Sequence, residues 1–360
     1  MREVKQKEQR EGKAGGQKEY SRAFIGRTRS LDLVRVIRER SGNGWKGDLK
    51  LGTGRGVTAE GRDAVLSLCM LWRKIFATMR NLAKRGALEE AGRNALETTL
   101  EIKELDVCSD GSIRECLDSI PDRHVDILIN NAGVGLVGPL ECHSIQDMQA
   151  VFETNFFGVV RMIKEVLPDM KRRKSGHIVV ISSVMGLQGI VFNDIYSASK
   201  SAVEGFCESL VFQAMKFNIF ITLIEPGPVT TDFELKTYEE AARGDYSKTD
   251  PETADIFINY YLKNSKAIFS SLGQSPEDIA EHTLQVLTME TPPFRHQTNQ
   301  VFTPLTALKH ADPSGELATN VFYKLVFQHE TLMQASLLAI KLLRWKANKV
   351  QQGAKILGFM

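Results

Sequence analysis

The order of apolar and polar positions divides this chain into three stretches. From Lys74 onward, short apolar runs alternate with longer segments of helical period: KIFATM at 74–79, LEIKEL at 100–105, VDILIN at 125–130, HIVVIS at 177–182 and IFITLIE at 219–225. Each run is short, rich in Ile and Val and almost continuously apolar, as expected of strands covered on both faces. Between them the period predicts helices near 83–98, 110–120, 146–173 and 194–216, with a further helix at 276–289 and a short strand near 300–303. Alternating strand and helix is the pattern of βαβ units, so the fold class is α/β: a Rossmann-like, doubly wound parallel sheet flanked by helices, in a single domain. Ligands of such a sheet sit at the carboxyl ends of its strands.

The flanks read differently. Residues 1–50 are rich in Gly, Lys, Arg, Gln and Glu and are expected to be a mostly disordered basic extension, with one apolar patch, Leu31 to Ile37, able to form a helix turn or two. The stretch 232–272 mixes Tyr, Asp, Lys and Ser with weak periodicity and is either a lid over a pocket or a long surface excursion. Residues 311–360 form a helical tail, in which Phe322 to Trp345 is an amphipathic candidate for core packing, a dimer contact or attachment to a membrane surface. The domain therefore runs from 51 to 310, with 74–310 clear and 51–73 atypical.

Composition narrows the picture. With 42% hydrophobic and 25% charged residues over 360 positions, the chain is of ordinary globular type. The formal charge of +2 gives no global field for nucleic acid, although residues 1–50 alone carry 14 Lys/Arg against 7 Asp/Glu. Five cysteines, odd in number and without CxxC spacing, suggest neither a metal site nor a disulfide framework and fit a reducing compartment. No apolar signal region opens the chain and no run of eighteen apolar residues occurs, so neither secretion nor membrane spanning is expected.

The candidate chemistry lies at strand ends. Tyr196 and Lys200, four apart at the start of a helix, project from one face, and an ammonium beside a phenol favours the phenolate. Ser183 ends the strand HIVVISS thirteen residues earlier, where a lone serine is more often a cap. Asn130, Asn131, Ala132 and Gly133 follow the strand VDILI, and Asn155 sits inside the apolar helix FETNFFGVV, where a buried amide is commonly structural. Val134, Leu136, Met185, Leu187 and Phe192 lie near the same strand ends and form either an apolar pocket or plain core.

Taken together, Asp106-Val107, NNAG at 130–133, Asn155, Ser183, the Tyr196-Ser-Ala-Ser-Lys200 segment and Pro226-Gly227 resemble the ordered motif set of the short-chain dehydrogenase/reductase family over roughly residues 74–310. Stretches such as HIVVISSVMGLQG, FNDIYSASK and RHQTNQVFTPLTALK are similar to the branch of that family acting on retinoids and steroids. The resemblance implies an NADP-dependent oxidoreductase, retinal and retinol being the first expected substrates, as in the visual cycle, and 17-keto or 17-hydroxy steroids the alternative. It implies Tyr196 as the acid/base, Ser183 as hydrogen-bond partner of the reacting oxygen, Lys200 as the tuner of Tyr196 and holder of the nicotinamide ribose, and Asn155 as anchor of a proton-relay water. For the cofactor it implies Asp106 and Val107 at the adenine, Asn131, Ala132 and Gly133 along its path, and Pro226, Gly227 and Val229 as further contacts. Arg80, just past the second strand, falls where a ribose 2′-phosphate would lie. Peripheral association with the cytoplasmic side of membranes, the photoreceptor outer segment by resemblance, and homodimerisation through the two long helices are further implications. No metal is implied.

One departure stands out. The family opens with a strand, then TGxxxGxG, then a helix whose amides hold the pyrophosphate. Here the nearest match runs from Leu51 to Thr58, keeping Gly52 and Gly56 but placing Thr58 where the third glycine belongs, and the upstream GWKGDLKL is a poor central strand. A degraded but equivalent loop and a replaced N-terminal segment are both open, the second preferred because such glycine spacing is weak. A chain of this family that holds no dinucleotide, and acts as an impaired isoform or a binding protein, is the corresponding alternative of another class.

Overall fold

The computed structural model describes residues 35–38, 74–92, 96 and 99–328. The glycine segment with Gly52 and Gly56 and the tail beyond 328 lie outside the described residues. One sheet organises the rest, made of β1 (Arg35–Arg38), β2 (Lys74–Met79), β3 (Leu100–Glu104), β4 (Ile127–Asn130), β5 (Gly176–Ile181), β6 (Ile219–Glu225) and β7 (Arg295–Gln297), in the order β3-β2-β1-β4-β5-β6-β7.

Its core follows directly from the strand sequences. Phe76, Leu128, Ile178, Val180, Ile221 and Leu223 point to one face, while Ile75, Ala77, Ile127, Ile129, Val179 and Ile224 point to the other, and both sets are buried. A sheet covered on both faces needs apolar residues at every position, which is why these runs lack the alternation of a half-exposed strand. The first face packs against α2 (Asp110–Asp118), α4 (Gly158–Arg173) and α6 (Asp194–Met215). The second packs against α1 (Gly86–Ala91) and α10 (Pro276–Thr288).

Local sequence sets the helix ends. Ser144 and Asp147 form a reciprocal capping box on α3 (Ile145–Phe152), as do Ser275 and Asp278 on α10 with Pro276 in its first turn. At its far end α4 closes on Lys171, Arg172 and Arg173, whose charges suit the negative pole of the helix.

The structure corrects five expectations. The Leu31–Ile37 patch supplies a strand, not a helix turn: β1 lies between β2 and β4, antiparallel to both, in a sheet whose other pairings are parallel. Arg35 is level with Ala77 and Ile129, whereas Arg38 is level with Lys74, so β1 leaves the sheet at the amino ends of its neighbours. Of the helix expected over 83–98, the described residues form a 3₁₀ turn at Leu82–Lys84 and the six residues of α1. The segment 146–173 is two helices, α3 and α4, joined by a π-helical turn at Glu153–Phe157. The last strand is Arg295–Gln297, and Gln300–Phe302 is a 3₁₀ turn.

Finally, the weakly periodic 232–272 stretch is helical: α7 (Asp232–Ala241), α8 (Pro251–Asp255), a π-helical turn Ile256–Tyr261 and α9 (Leu262–Leu272). Its aromatics Tyr246, Phe257 and Tyr261 bury themselves with Phe192, Val137 and Cys142, so it packs as a cover beside the carboxyl ends of the strands. Among the described residues no helix is long and apolar enough to cross a membrane.

Candidate active site

The carboxyl ends of β4, β5 and β6 gather the expected side chains. Ser183 follows β5 by two residues in extended conformation and caps the short helix α5 (Val184–Leu187), its Oγ accepting the Met185 N–H at 3.1 Å. The cap reading and the chemical reading therefore coexist, because the same hydroxyl also hydrogen-bonds the Tyr196 phenol. Tyr196 and Lys200 lie one turn apart on α6, with Lys200 Nζ 5.7 Å from the Tyr196 ring centroid and donating to the Ile181 carbonyl at 2.9 Å. Both Ser183 and Lys200 are buried.

Asn155 is fixed by its helix defect. In the π-helical turn, its Oδ1 accepts the Val134 N–H at 2.8 Å, and its Nδ2 donates to the Val134 carbonyl at 2.9 Å and to Ser199 Oγ at 3.0 Å. Ser199 in turn donates to the Tyr196 carbonyl at 2.7 Å. The extra residue of a π turn aims an otherwise helical side chain across to a neighbouring loop, a common device at functional sites. A chain of polar contacts thus runs from the β4 loop through Asn155 and Ser199 to the backbone of Tyr196.

The electrostatics differ from the sequence expectation in one respect. Burial, and then the Glu234 carboxylate, push the Tyr196 phenol well above its ordinary range, and the Ser183 hydrogen bond is what opposes them. The lowering expected from Lys200 is absent from that balance. Lys200 is itself pulled down to about 8 by burial, against the opposing charge of Glu204. The phenol therefore stays protonated at neutral pH and can act as a proton donor.

The described residues fit the nicotinamide and ribose end of a dinucleotide. Asn130 ends β4 with its Nδ2 buried and without a hydrogen-bond partner among the described residues, a donor at the carboxyl end of the strand. At Gly133 an added Cβ would stand 3.5 Å from Asn155 Oδ1 and 3.8 Å from Lys200 Nζ, so a side chain there would enter the space between them. Asn131 and Ala132 occupy the same loop, Asn131 half-buried and Ala132 buried. Pro226 and Gly227 follow β6, with the Pro226 carbonyl accepting the Val184 N–H at 2.8 Å, and the Val229 N–H is held by Glu234 Oε2 at 3.2 Å.

Arg80 and Asp106, expected near the adenine, are exposed and half-buried respectively and line an open groove of about 700 Å3 with Lys103, Glu104 and Ser112. Val107 is buried in the main core against Gly158, and Asp106 Oδ1 accepts the Cys108 N–H at 2.9 Å. β1 does not supply a strand leading into a phosphate-binding turn at this edge, because its direction is reversed.

Of the apolar candidates, Leu136 and Leu187 are buried and Val134 and Met185 half-buried. Phe192, at φ +60°, stacks edge-on with Phe257 and Tyr261 at 5.0 and 5.2 Å. Sequence reasoning missed Ser199, although it quoted the segment containing it, and missed the buried Asn193, which donates to Tyr261 Oη at 2.5 Å, with Tyr238 Oη a further 3.1 Å on. Nothing in the spacing of Asn193 and Tyr261, 68 residues apart, signals that pairing. Among the described residues no group of acids, histidines and cysteines could hold a metal.

A family model described as short chain dehydrogenase matches residues 52–242, beginning at Gly52. Retinol dehydrogenase 8 of Bos taurus is 53% identical over 264 residues, covering 73% of this chain and 85% of that protein. 17-beta-hydroxysteroid dehydrogenase type 1 of Homo sapiens is 40% identical over 260 residues, covering 71% and 77%. Among solved structures, a short-chain dehydrogenase from Streptomyces avermitilis shares the fold with a TM-score of 0.58 at 25% identity, over 72% of this chain and 92% of that one.

Proposed function

Since the chain belongs to the short-chain dehydrogenase family, oxidoreductases of the CH–OH group whose fold works with NAD or NADP, we propose that it interconverts all-trans-retinal and all-trans-retinol with NADP as cofactor. The observation that carries the reading is the convergence of Ser183, Tyr196, Lys200 and Asn155 at one sheet edge beside the unpartnered amide of Asn130. The retinoid is preferred to the steroid because identity to the retinol dehydrogenase is higher, 53% against 40%. NADP is preferred to NAD because Arg80 offers a guanidinium, suited to a phosphate, at the end of β2.

When bound, the nicotinamide supplies the hydride. The rest falls to this chain. Ser183 donates to the carbonyl oxygen and Tyr196 gives it a proton from Oη as negative charge develops there, a transfer favoured by a phenol that burial keeps protonated. Lys200, anchored on the Ile181 carbonyl, has further N–H donors for a ribose hydroxyl, and Asn155 and Ser199 hold the Tyr196 turn in register. Val134, Leu136, Met185, Leu187 and Phe192 would face the polyene, and the α7–α9 cover beside Phe192 would exclude water. Peripheral attachment to the cytoplasmic face of a membrane and homodimerisation through α4 and α6 belong to the same proposal.

One observation favours a second reading. β1 runs opposite to its neighbours, so it does not itself lead towards their carboxyl ends, where a pyrophosphate would lie, and this favours a chain with weakened dinucleotide binding. Titration of the full chain with NADPH and NADH, followed by nicotinamide fluorescence, separates the two. Binding of NADPH that weakens in Arg80→Ala, followed by turnover of all-trans-retinal above that of a 17-keto steroid, supports the enzyme. Absence of binding by either nucleotide overturns it.

A further inference from the structure

Beneath the Tyr196 site lies a group of charges that the mechanism above does not use. Glu204 stands one turn beyond Lys200 on α6, and both are buried, at 4% and 6% exposure. Glu225, the last residue of β6 and the neighbour of Pro226, is 0% exposed. Arg295, the first residue of β7, reaches in from the rim: its Nη1 donates to Glu204 Oε2 and, at 2.8 Å, to Glu225 Oε1, and its Nη2 contacts Glu208 at 3.3 Å.

One guanidinium thus serves two buried carboxylates, each through one oxygen, with Ser182 beside Glu204 and Gln297 beside Glu225 as their neutral neighbours. Such an arrangement has surplus buried acid charge, which costs free energy unless a second cation compensates it. The next cation is Lys200, buried one helical turn before Glu204 on the same face of α6. The Glu204 side chain is also held sterically: a Cβ on Gly186 would lie 2.9 Å from its Cγ and 3.2 Å from its Oε1.

We propose that Glu204, held in place by Arg295, is a positioning residue for this site, keeping the Lys200 ammonium charged and seated between Tyr196 and the Ile181 carbonyl. The inference rests on the reading of Tyr196 and Lys200 as the reacting pair. The surroundings are consistent with it. Lys200 faces Tyr196 and Glu204 on its own helix and the Ile181 carbonyl of β5. Glu204 faces Arg295 of β7, Glu225 of β6, Ser182 after β5, and Lys200 and Cys207 on α6. Burial draws Lys200 down to about 8 while Glu204 opposes the fall, and burial pushes Glu225 up to about 7, so the acid group carries less than its full charge near neutrality.

The test follows the charge of Lys200 without cofactor or substrate. The full chain is labelled with ε-13C lysine, the Lys200 resonance is assigned through Lys200→Arg, and its shift is titrated. The wild-type midpoint is expected near 8. In Glu204→Gln it should fall by about one unit, the effect of losing a nearby opposite charge. Glu208→Gln and Glu225→Gln should leave it in place. An unchanged midpoint in Glu204→Gln, or an equal fall in Glu225→Gln, overturns the proposal. So does a wild-type midpoint below 7, which needs none of the glutamate variants to fold. Because NADPH and retinal are absent, failure of the retinal reading leaves this result unaffected, and the converse holds too.

Discussion

His177 should make the fold acid-sensitive, by an amount that can be worked out. It is the second residue of β5, 7% exposed, with its ring edge-on to Phe220 at 6.0 Å. Its Nε2 lies 3.0 Å from Thr222 Oγ1, and the Thr222 hydroxyl donates its one proton to the Pro293 carbonyl at 2.8 Å. Thr222 therefore accepts, and His177 is the neutral tautomer protonated on Nε2. Burial lowers its pKa from 6.5 to about 4. The unfolded chain binds this proton first, so the contribution to stability is complete above pH 6.5 and is lost as pH falls from 6.5 towards 4. Linkage gives a loss of about 2 kcal/mol by pH 5 and about 3 kcal/mol by pH 4.

The change His177→Gln keeps an amide donor for Thr222 and removes the titration. Urea unfolding followed by far-ultraviolet circular dichroism at pH 8 and pH 5 measures the effect. His143 and His296, also lowered, add to the wild-type slope, and Glu225, raised, subtracts from it, so the quantity to compare is the difference between wild type and variant. The variant should gain about 2 kcal/mol on the wild type between the two pH values. A difference that does not change with pH would refute the argument, since it would mean that His177 gains or loses its proton equally in the folded and unfolded chains.

Four further outcomes follow from the geometry. Tyr196→Phe should lower retinal turnover by about 10²-fold or more while leaving NADPH binding, followed by fluorescence, intact. Asn155→Ala strands the Val134 N–H and carbonyl and should cost on the order of 1–3 kcal/mol in urea unfolding, together with a fall in turnover. In Gly158→Ala the new methyl would stand 2.8 Å from Val107 Cγ2 and 3.0 Å from its Cβ; valine is stiff, and the loss should be about 1–3 kcal/mol by the same assay. In Gly176→Ala the new methyl would stand 2.6 Å from the sulfur, 2.7 Å from the Cγ and 3.1 Å from the Cβ of the fully buried Met170, so turning the end of that side chain does not clear it and a loss of about 1–3 kcal/mol is expected here too.

What could be read from the sequence depended on range. β2, β4, β5 and β6 were legible because strands buried on both faces are almost continuously apolar, and Lys74–Met79 and Ile219–Glu225 appear as the pattern placed them, whereas β3, partly exposed and charged at three of its five positions, is marked only by its place in the alternation of strand and helix. Ser183, Tyr196 and Lys200 were legible as a set because strand ends and one helix turn bring them together whatever else the chain does. β1 was not legible, because Arg35-Val-Ile-Arg38 is four residues long and ringed by charge, and only its ladders with β2 and β4 make it a strand. The break in 146–173 escaped notice because a π turn leaves the apolar period almost unchanged. The Arg295 cluster was equally hidden, joining residues 70 and 91 positions apart that no spacing rule connects.

The reversed strand separates two demands that sheets usually meet together. Backbone donors and acceptors on the facing edges of β2 and β4 are satisfied by a partner of either polarity, and an antiparallel ladder is slightly the stronger per residue. Cohesion of the sheet is therefore indifferent to which way residues 35–38 run. The edge at which the following turn emerges is not indifferent, and the phosphate-binding turn of this family depends on it. At this one position a chain can change its catalytic competence while its folding free energy scarcely registers the change, so thermal stability would be a poor guide to whether such a molecule is an active enzyme.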